Sequence, residues 1–139
     1  MLGPIIALCL AQVPWARFPN EKSSIPLVRA IVELRLDEAR QLIASGADVN
    51  AVEQITPLYA AQEYISSSRQ RHGMIKTLLR AGAMADQPTR DGTTTLMLAA
   101  YHGDVRAAEL LLDSGADPLR RNEQGYTAID SARRHGHDE

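Results

Sequence analysis

The sequence predicts an all-α solenoid: helix-turn-helix hairpins stacked side by side and joined by short β-hairpin or loop fingers. Three observations predict it. A glycine stop recurs as Ser45-Gly46-Ala47-Asp48, Ala81-Gly82-Ala83-Met84 and Ser114-Gly115-Ala116-Asp117, where a left-handed helix end favours glycine. A helix-opening signature recurs as Ile25-Pro26-Leu27, Thr56-Pro57-Leu58, Thr94-Thr95-Leu96 and Thr127-Ala128-Ile129, with alanine five residues after each first position (Ala30, Ala61, Ala99, Ala132). The third observation is the period. Gly82 to Gly115 is 33 residues and Gly46 to Gly82 is 36. The longer interval has a located cause: a connection, 50–56, two residues shorter than 86–94, and an inter-helix region between Gln62 and His72 about five longer. A single hairpin of this size is too short to bury its own apolar faces and needs neighbours on both sides.

Each element follows from its residues. Residues 1–23 are an apolar segment and linker, and 24–139 the repeat domain. Met1–Leu10 is apolar and uncharged, too short to span a bilayer. Its Ala-Leu-Cys-Leu-Ala run, 7–11, has small residues where a signal segment would be cleaved, although no Lys or Arg precedes it. It reads as such a segment or as an arm packed over the first repeat, with a slight lean toward export. In repeat one, Leu27, Ala30, Ile31 and Leu34 form one helix face, and Ala39, Leu42 and Ile43 the next. In repeat two the first helix continues through Tyr64 and Ile65, and Ser66–His72, a serine run with two arginines, reads as a solvated loop. Repeat three is the regular one: the Asp91-Gly92 turn, an apolar helix from Thr95, a break at His102-Gly103, and Val105–Leu112 at helical spacing. Repeat four stops after one helix, made polar by Asp130, Ser131, Arg133 and Arg134, as a terminal cap facing water would be.

The opening signature resembles the T-P-L-H-x-A pattern of the ankyrin repeat family, and the resemblance runs from about Ser24 to the C-terminus. Val28, Tyr59, Met97 and Asp130 stand in place of the family histidine, so its inter-repeat hydrogen bonds are expected to be absent or improvised. Leu34 replaces the first inter-helix glycine, and the first connection lacks Asp-x-x-Gly, so its finger is expected to be stunted. Asn50 matches the asparagine that some hydroxylases modify, a residue also common in such repeats for structural reasons.

The resemblance implies a non-catalytic module that binds another protein on its concave face. Position by position it implies Val32, Glu33, Glu63, Tyr64, Tyr101, His102, Arg134 and His135 on that face. At the finger tips it implies Glu53, Pro88, Arg90, Arg121, Glu123 and Tyr126. Tyr and Arg combine apolar area with a polar handle and are favoured at interface hot spots; for any one tyrosine, covering the neighbouring core is an equal reading. A sharper version is an inhibitor or immunity-type protein that occludes a cognate toxin or enzyme. The alternative is a scaffold or chaperone accessory, or a fragment of a longer array.

Composition and motifs narrow the classes. The net charge is −2 with both signs mixed, so no basic block points to nucleic acid, and aromatics are only 4%, which leaves the core to Leu, Ile, Val and Ala. One cysteine, Cys9, admits no internal disulfide and has no base beside it in sequence. No nucleophile elbow, phosphate loop or zinc-protease motif occurs. His135 and His137 with Asp138 and Glu139 read as a polar tail, since a metal site needs ligands fixed in place. His72 and His102 read as exposed turn residues. No cofactor or metal is expected, no membrane span, and a monomer.

Overall fold

A computed structural model describes residues 26–52 and 54–136; Met1–Ala11, Cys9 and Glu53 lie outside them. The described residues form seven helices and no strand: α1 Pro26–Val32, α2 Leu36–Ala44, α3 Pro57–Tyr64, α4 Ser68–Arg80, α5 Thr95–His102, α6 Val105–Asp113 and α7 Ala128–Arg134. The first helices of the hairpins pack in sequence, α1 on α3, α3 on α5 and α5 on α7. The second helices α2, α4 and α6 do the same in a parallel layer, each also packed on its own first helix. The core runs between the layers. Ala30, Ala60, Ala61 and Ala99 are fully buried within it, their small side chains letting helix axes approach.

The recurrent signatures do the local work expected of them. The Thr56, Thr94 and Thr127 hydroxyls accept from the N–H groups of Tyr59, Met97 and Asp130 at 3.1, 3.2 and 3.2 Å, satisfying donors a helix start leaves unpaired. Asp130 returns the bond, accepting from Thr127 N–H at 2.9 Å to complete a capping box. At the stops, the N–H groups of Gly82 and Gly115 reach Leu79 and Leu112 carbonyls at 3.1 and 3.0 Å.

The fingers are hydrogen-bonded turns. Thr89 N–H donates to Thr93 O at 2.8 Å and Asn122 N–H to Tyr126 O at 3.0 Å. They are also joined in series: Arg90 N–H donates to Gln54 O at 3.3 Å, and Glu123 N–H to Asp91 O at 3.2 Å. Gly92 sits at this join with φ 80°, and a Cβ there would stand 3.2 Å from the Asn122 Cα.

Side-chain hydrogen bonds join successive repeats in two places. Asn50 accepts from Met84 N–H at 2.7 Å and donates to Gly82 O at 3.0 Å, while Gln87 donates to the Asn50 carbonyl at 2.7 Å. Asp86 joins the next pair of repeats as an acceptor only, from Asp117 N–H at 3.1 Å and from Arg120 at 2.9 Å. The second place is Asp104, the cap of α6, whose side chain is 7% exposed. It accepts from Ala107 N–H at 3.1 Å, Arg71 at 2.7 Å and Gln62 at 3.3 Å, and lies 2.8 Å from His72 Nε2.

That cluster corrects the reading of repeat two. α3 ends at Tyr64, and the run expected to be a loop is helical from Ser68, capped by Ser67. α4 has 13 residues where α2 and α6 have 9, so the insertion is an added helical turn. His72 is accordingly half-buried against Asp104 and is no exposed turn residue. Leu34 is also corrected: it does not join the α1 face but lies outside the helix at φ 59°, 43% exposed, holding the left-handed conformation its glycine counterpart would take.

Candidate partner-binding groove

One side of the stack carries a groove of about 570 Å³ bounded by α3, α5, α7 and the last two fingers. Helical spacing brings its walls together. Tyr59 and Glu63 are four apart on α3, Leu98 and Tyr101 three apart on α5, and Ser131 and Arg134 three apart on α7, so each pair shares a helix face.

Aromatic and basic groups organise the floor. The Tyr101 ring lies 3.8 Å from the His135 ring, tilted at 55°, and 5.1 Å from His102 edge to face. The Arg134 guanidinium stands 4.9 Å above the Tyr126 ring, within cation–π range. His102 Nε2 is 3.2 Å from Glu63 Oε2. Burial, reinforced by the nearby charges of Glu63 and Asp91, pushes the Tyr59 phenol up to about 12. Like any tyrosine it is protonated at neutral pH, with a hydroxyl that can both donate and accept. Flat apolar rings with polar edges suit protein contact; no nucleophile paired with a base is assembled here. Among the described residues no group of three or more His, Cys, Asp or Glu could hold a metal ion.

The residues singled out from the sequence divide between groove and elsewhere. Glu63, Tyr101, His102, Tyr126, Arg134 and His135 line it together. Arg90, Arg121 and Glu123 are exposed on the fingers beside it, and Pro88 is half-buried in the second finger. Tyr64 is half-buried and packs against the core. Glu33 is tied to Arg29 at 3.0 Å and Arg35 at 2.6 Å. Val32 is a correction: it faces inward and is buried in the core cluster, out of reach of a partner.

The lining also includes residues the sequence reading did not select, chiefly Tyr59, Met97, Leu98, Ser131, Asn122 and Gln124. A signal existed for four of them. They hold the fourth or fifth position of the opening signature, the fourth being that of the lost histidine.

Comparison with known proteins gives a consistent family. The pattern described as ankyrin repeats (three copies) matches residues 64–139. The chain is similar to the Nuclear factor NF-kappa-B p105 subunit of Mus musculus, 39% identical over 130 residues, covering 91% of this chain and 13% of that protein. It is similar to Ankyrin repeat and SOCS box protein 16 of Homo sapiens, 33% identical over 102 residues, covering 73% of this chain and 22% of the other. The chain thus spans less than a quarter of the length of either relative. No helix among the described residues is long and apolar enough to cross a membrane.

Proposed function

The chain belongs to the ankyrin-repeat family, whose repeats are as a rule non-catalytic protein-interaction modules, and from that premise we propose that it grips its partner in the groove between α3, α5 and α7. The observation that supports this most is the meeting of Tyr101, His135, Tyr126 and Arg134 on one concave surface. Aromatic and arginine side chains are the commonest carriers of interface energy, because they combine a large contact area with a polar or charged handle. In this reading Tyr59 and Asn122 supply fixed hydrogen-bonding groups, and Arg90 and Arg121 on the fingers contact the partner's rim.

The sharper version is an inhibitor of the immunity type, which covers the working surface of a cognate toxin or enzyme. A scaffold would bind through the same groove and leave its partner's activity intact. Affinity capture with the wild-type chain and with Tyr101→Ala, Tyr126→Ala and Arg134→Ala tests the site. Each variant is expected to weaken binding of the captured partner by roughly 1–2 kcal/mol with the helical content unchanged. Undiminished binding by all three would put the contact elsewhere. Assaying the partner in the complex then separates inhibitor from scaffold.

A further inference from the structure

The insertion in repeat two builds a second cavity. Shifted by the repeat intervals, α2 and α6 both correspond to residues 72–80, so the added turn of α4 is 68–71. That turn and the end of α3 border, with the end of α5 and the start of α6, a cavity of about 410 Å³. Gln62, Glu63, Arg71 and Asp104 line it, with Ser66 and Ser68 at the turn. It lies between repeats two and three, inside the stack rather than at either end of it.

Its hydrogen bonds show which chemistry is left over. The Arg71 donors are engaged within the protein: Nε donates to Asp104 at 2.7 Å, Nη1 to the Ile65 and Ser66 carbonyls at 2.8 and 3.2 Å, and Nη2 to Ser68 Oγ at 3.3 Å. Asp104 thereby answers the guanidinium charge. The acceptors are not all met. Gln62 is 3% exposed, and its Oε1 has no hydrogen-bond partner among the described residues. Turning the amide over offers no remedy, because Nε2 donates to Asp104 at 3.3 Å and the reverse orientation would set two acceptors together. A buried acceptor left unmet is costly. Glu63 adds a carboxylate, 3.2 Å from His102. With neutral imidazoles, two carboxylates against one guanidinium leave the cavity net negative.

A cationic hydrogen-bond donor answers both remainders. Ammonium and guanidinium groups donate without accepting, and Ile65 and Val105 in the lining give their aliphatic stem an apolar wall. Glu63 and His102 line this cavity and the groove alike, so the two meet at the His102–Glu63 pair. We propose that the cavity takes a lysine or arginine side chain of the protein partner, reaching over the His102–Glu63 pair from the segment held in the groove. That the cation comes from the partner rests on the groove reading; the preference of the cavity for a cation does not.

Titration of the isotope-labelled 139-residue chain with N-acetylarginine amide and N-acetyllysine amide, followed by amide NMR shifts, tests the preference directly. Both probes are expected to give saturable shifts at Ser66, Gly103 and the Gln62 side-chain amide, with dissociation constants in the millimolar range. N-acetylglutamate amide and N-acetylglutamine amide are expected to give none. Gln62→Met, which nearly keeps the volume and removes the acceptor, is expected to weaken the arginine probe about fivefold. Glu63→Gln, at a position open enough to spare the fold, is expected to do the same. Both are expected to weaken the captured partner by a similar factor. Absence of saturable shifts, an equal response to the glutamine probe, or full binding by both variants would mean that the cavity holds water only and would overturn the proposal. A partner lost to Tyr101→Ala but indifferent to Gln62→Met and Glu63→Gln would keep the groove and overturn its extension. Binding of the arginine probe, with a partner indifferent to Tyr101→Ala, would support the cation site and overturn the groove reading instead.

Discussion

At the scale of single residues, the backbone decides two outcomes of opposite sign. Leu34 has φ 59°, where an L side chain crowds the following carbonyl and loses about 1–2 kcal/mol. It is 43% exposed, so burial offsets that strain only in part. Its counterpart in repeat three, Gly103, takes φ 67° without penalty. Leu34→Gly is therefore expected to raise stability by about 1 kcal/mol, allowing for the greater freedom glycine gives the unfolded chain. A higher urea midpoint with an unchanged slope would show it. Gly115 argues the reverse case. It has φ 98° and nothing within 4 Å of an added Cβ, so the whole effect of Gly115→Val lies in conformation. A β-branched residue is a poor fit there, and a loss of at least about 1 kcal/mol is expected. Equal thermal stability would refute the glycine's role as a helix stop. The glycine stops were legible in the sequence because they recur; Leu34 was legible only as a missing glycine, since a replaced residue does not reveal whether the backbone changed with it.

At the scale of elements, the added turn of α4 and the cap of α6 form one unit. Burial works to raise the Asp104 pKa, but hydrogen bonds from Ala107 N–H, His72, Arg71 and Gln62 outweigh it and hold the carboxyl below the ordinary aspartate range. A lowered folded pKa means the folded state favours the carboxylate. Its contribution is complete above the unfolded aspartate pKa, and is lost as pH falls through the depressed folded value. Asp104→Asn keeps an acceptor for the cap and removes the charge, so it is expected to lose about 1–3 kcal/mol at neutral pH. In acid its stability is expected to converge on that of the wild type. A mutant cycle of Arg71→Ala with Asp104→Ala is expected to show coupling of about 1–3 kcal/mol; independence would mean the turn is only an appendage. The period placed this insertion between Gln62 and His72 but could not give its conformation. Ser67 as cap is a local signal, yet the partner that holds Arg71 and His72 is Asp104, more than thirty residues on, and no local pattern contains it.

At the scale of the whole molecule, repetition explains both what the sequence disclosed and what it hid. The stacking of hairpins was readable because the same residues recur at one period, and each recurrence is independent support. The groove was half readable. Exposed Tyr101, Tyr126 and Arg134 could be placed by register, but which side chains meet across three helices depends on how the layers curve, and Val32 was lost to the core for that reason. Stacking also makes stability local, since each hairpin is held by its neighbours. Among the described residues α5 lies between α3 and α7, whereas α7 packs chiefly on α5 and buries one residue. Its opening free energy should then be the lower one. Amide hydrogen exchange of the 139-residue chain is expected to be faster over residues 128–134 than over 95–102. The consequence reaches the groove, because Arg134 and His135 form its outer wall. A partner bound there must first order that wall, and its binding should slow the α7 amides more than those of α5. Equal protection of α5 and α7 in the free protein would mean the repeats open together, and that the outer wall is as rigid as the centre of the stack.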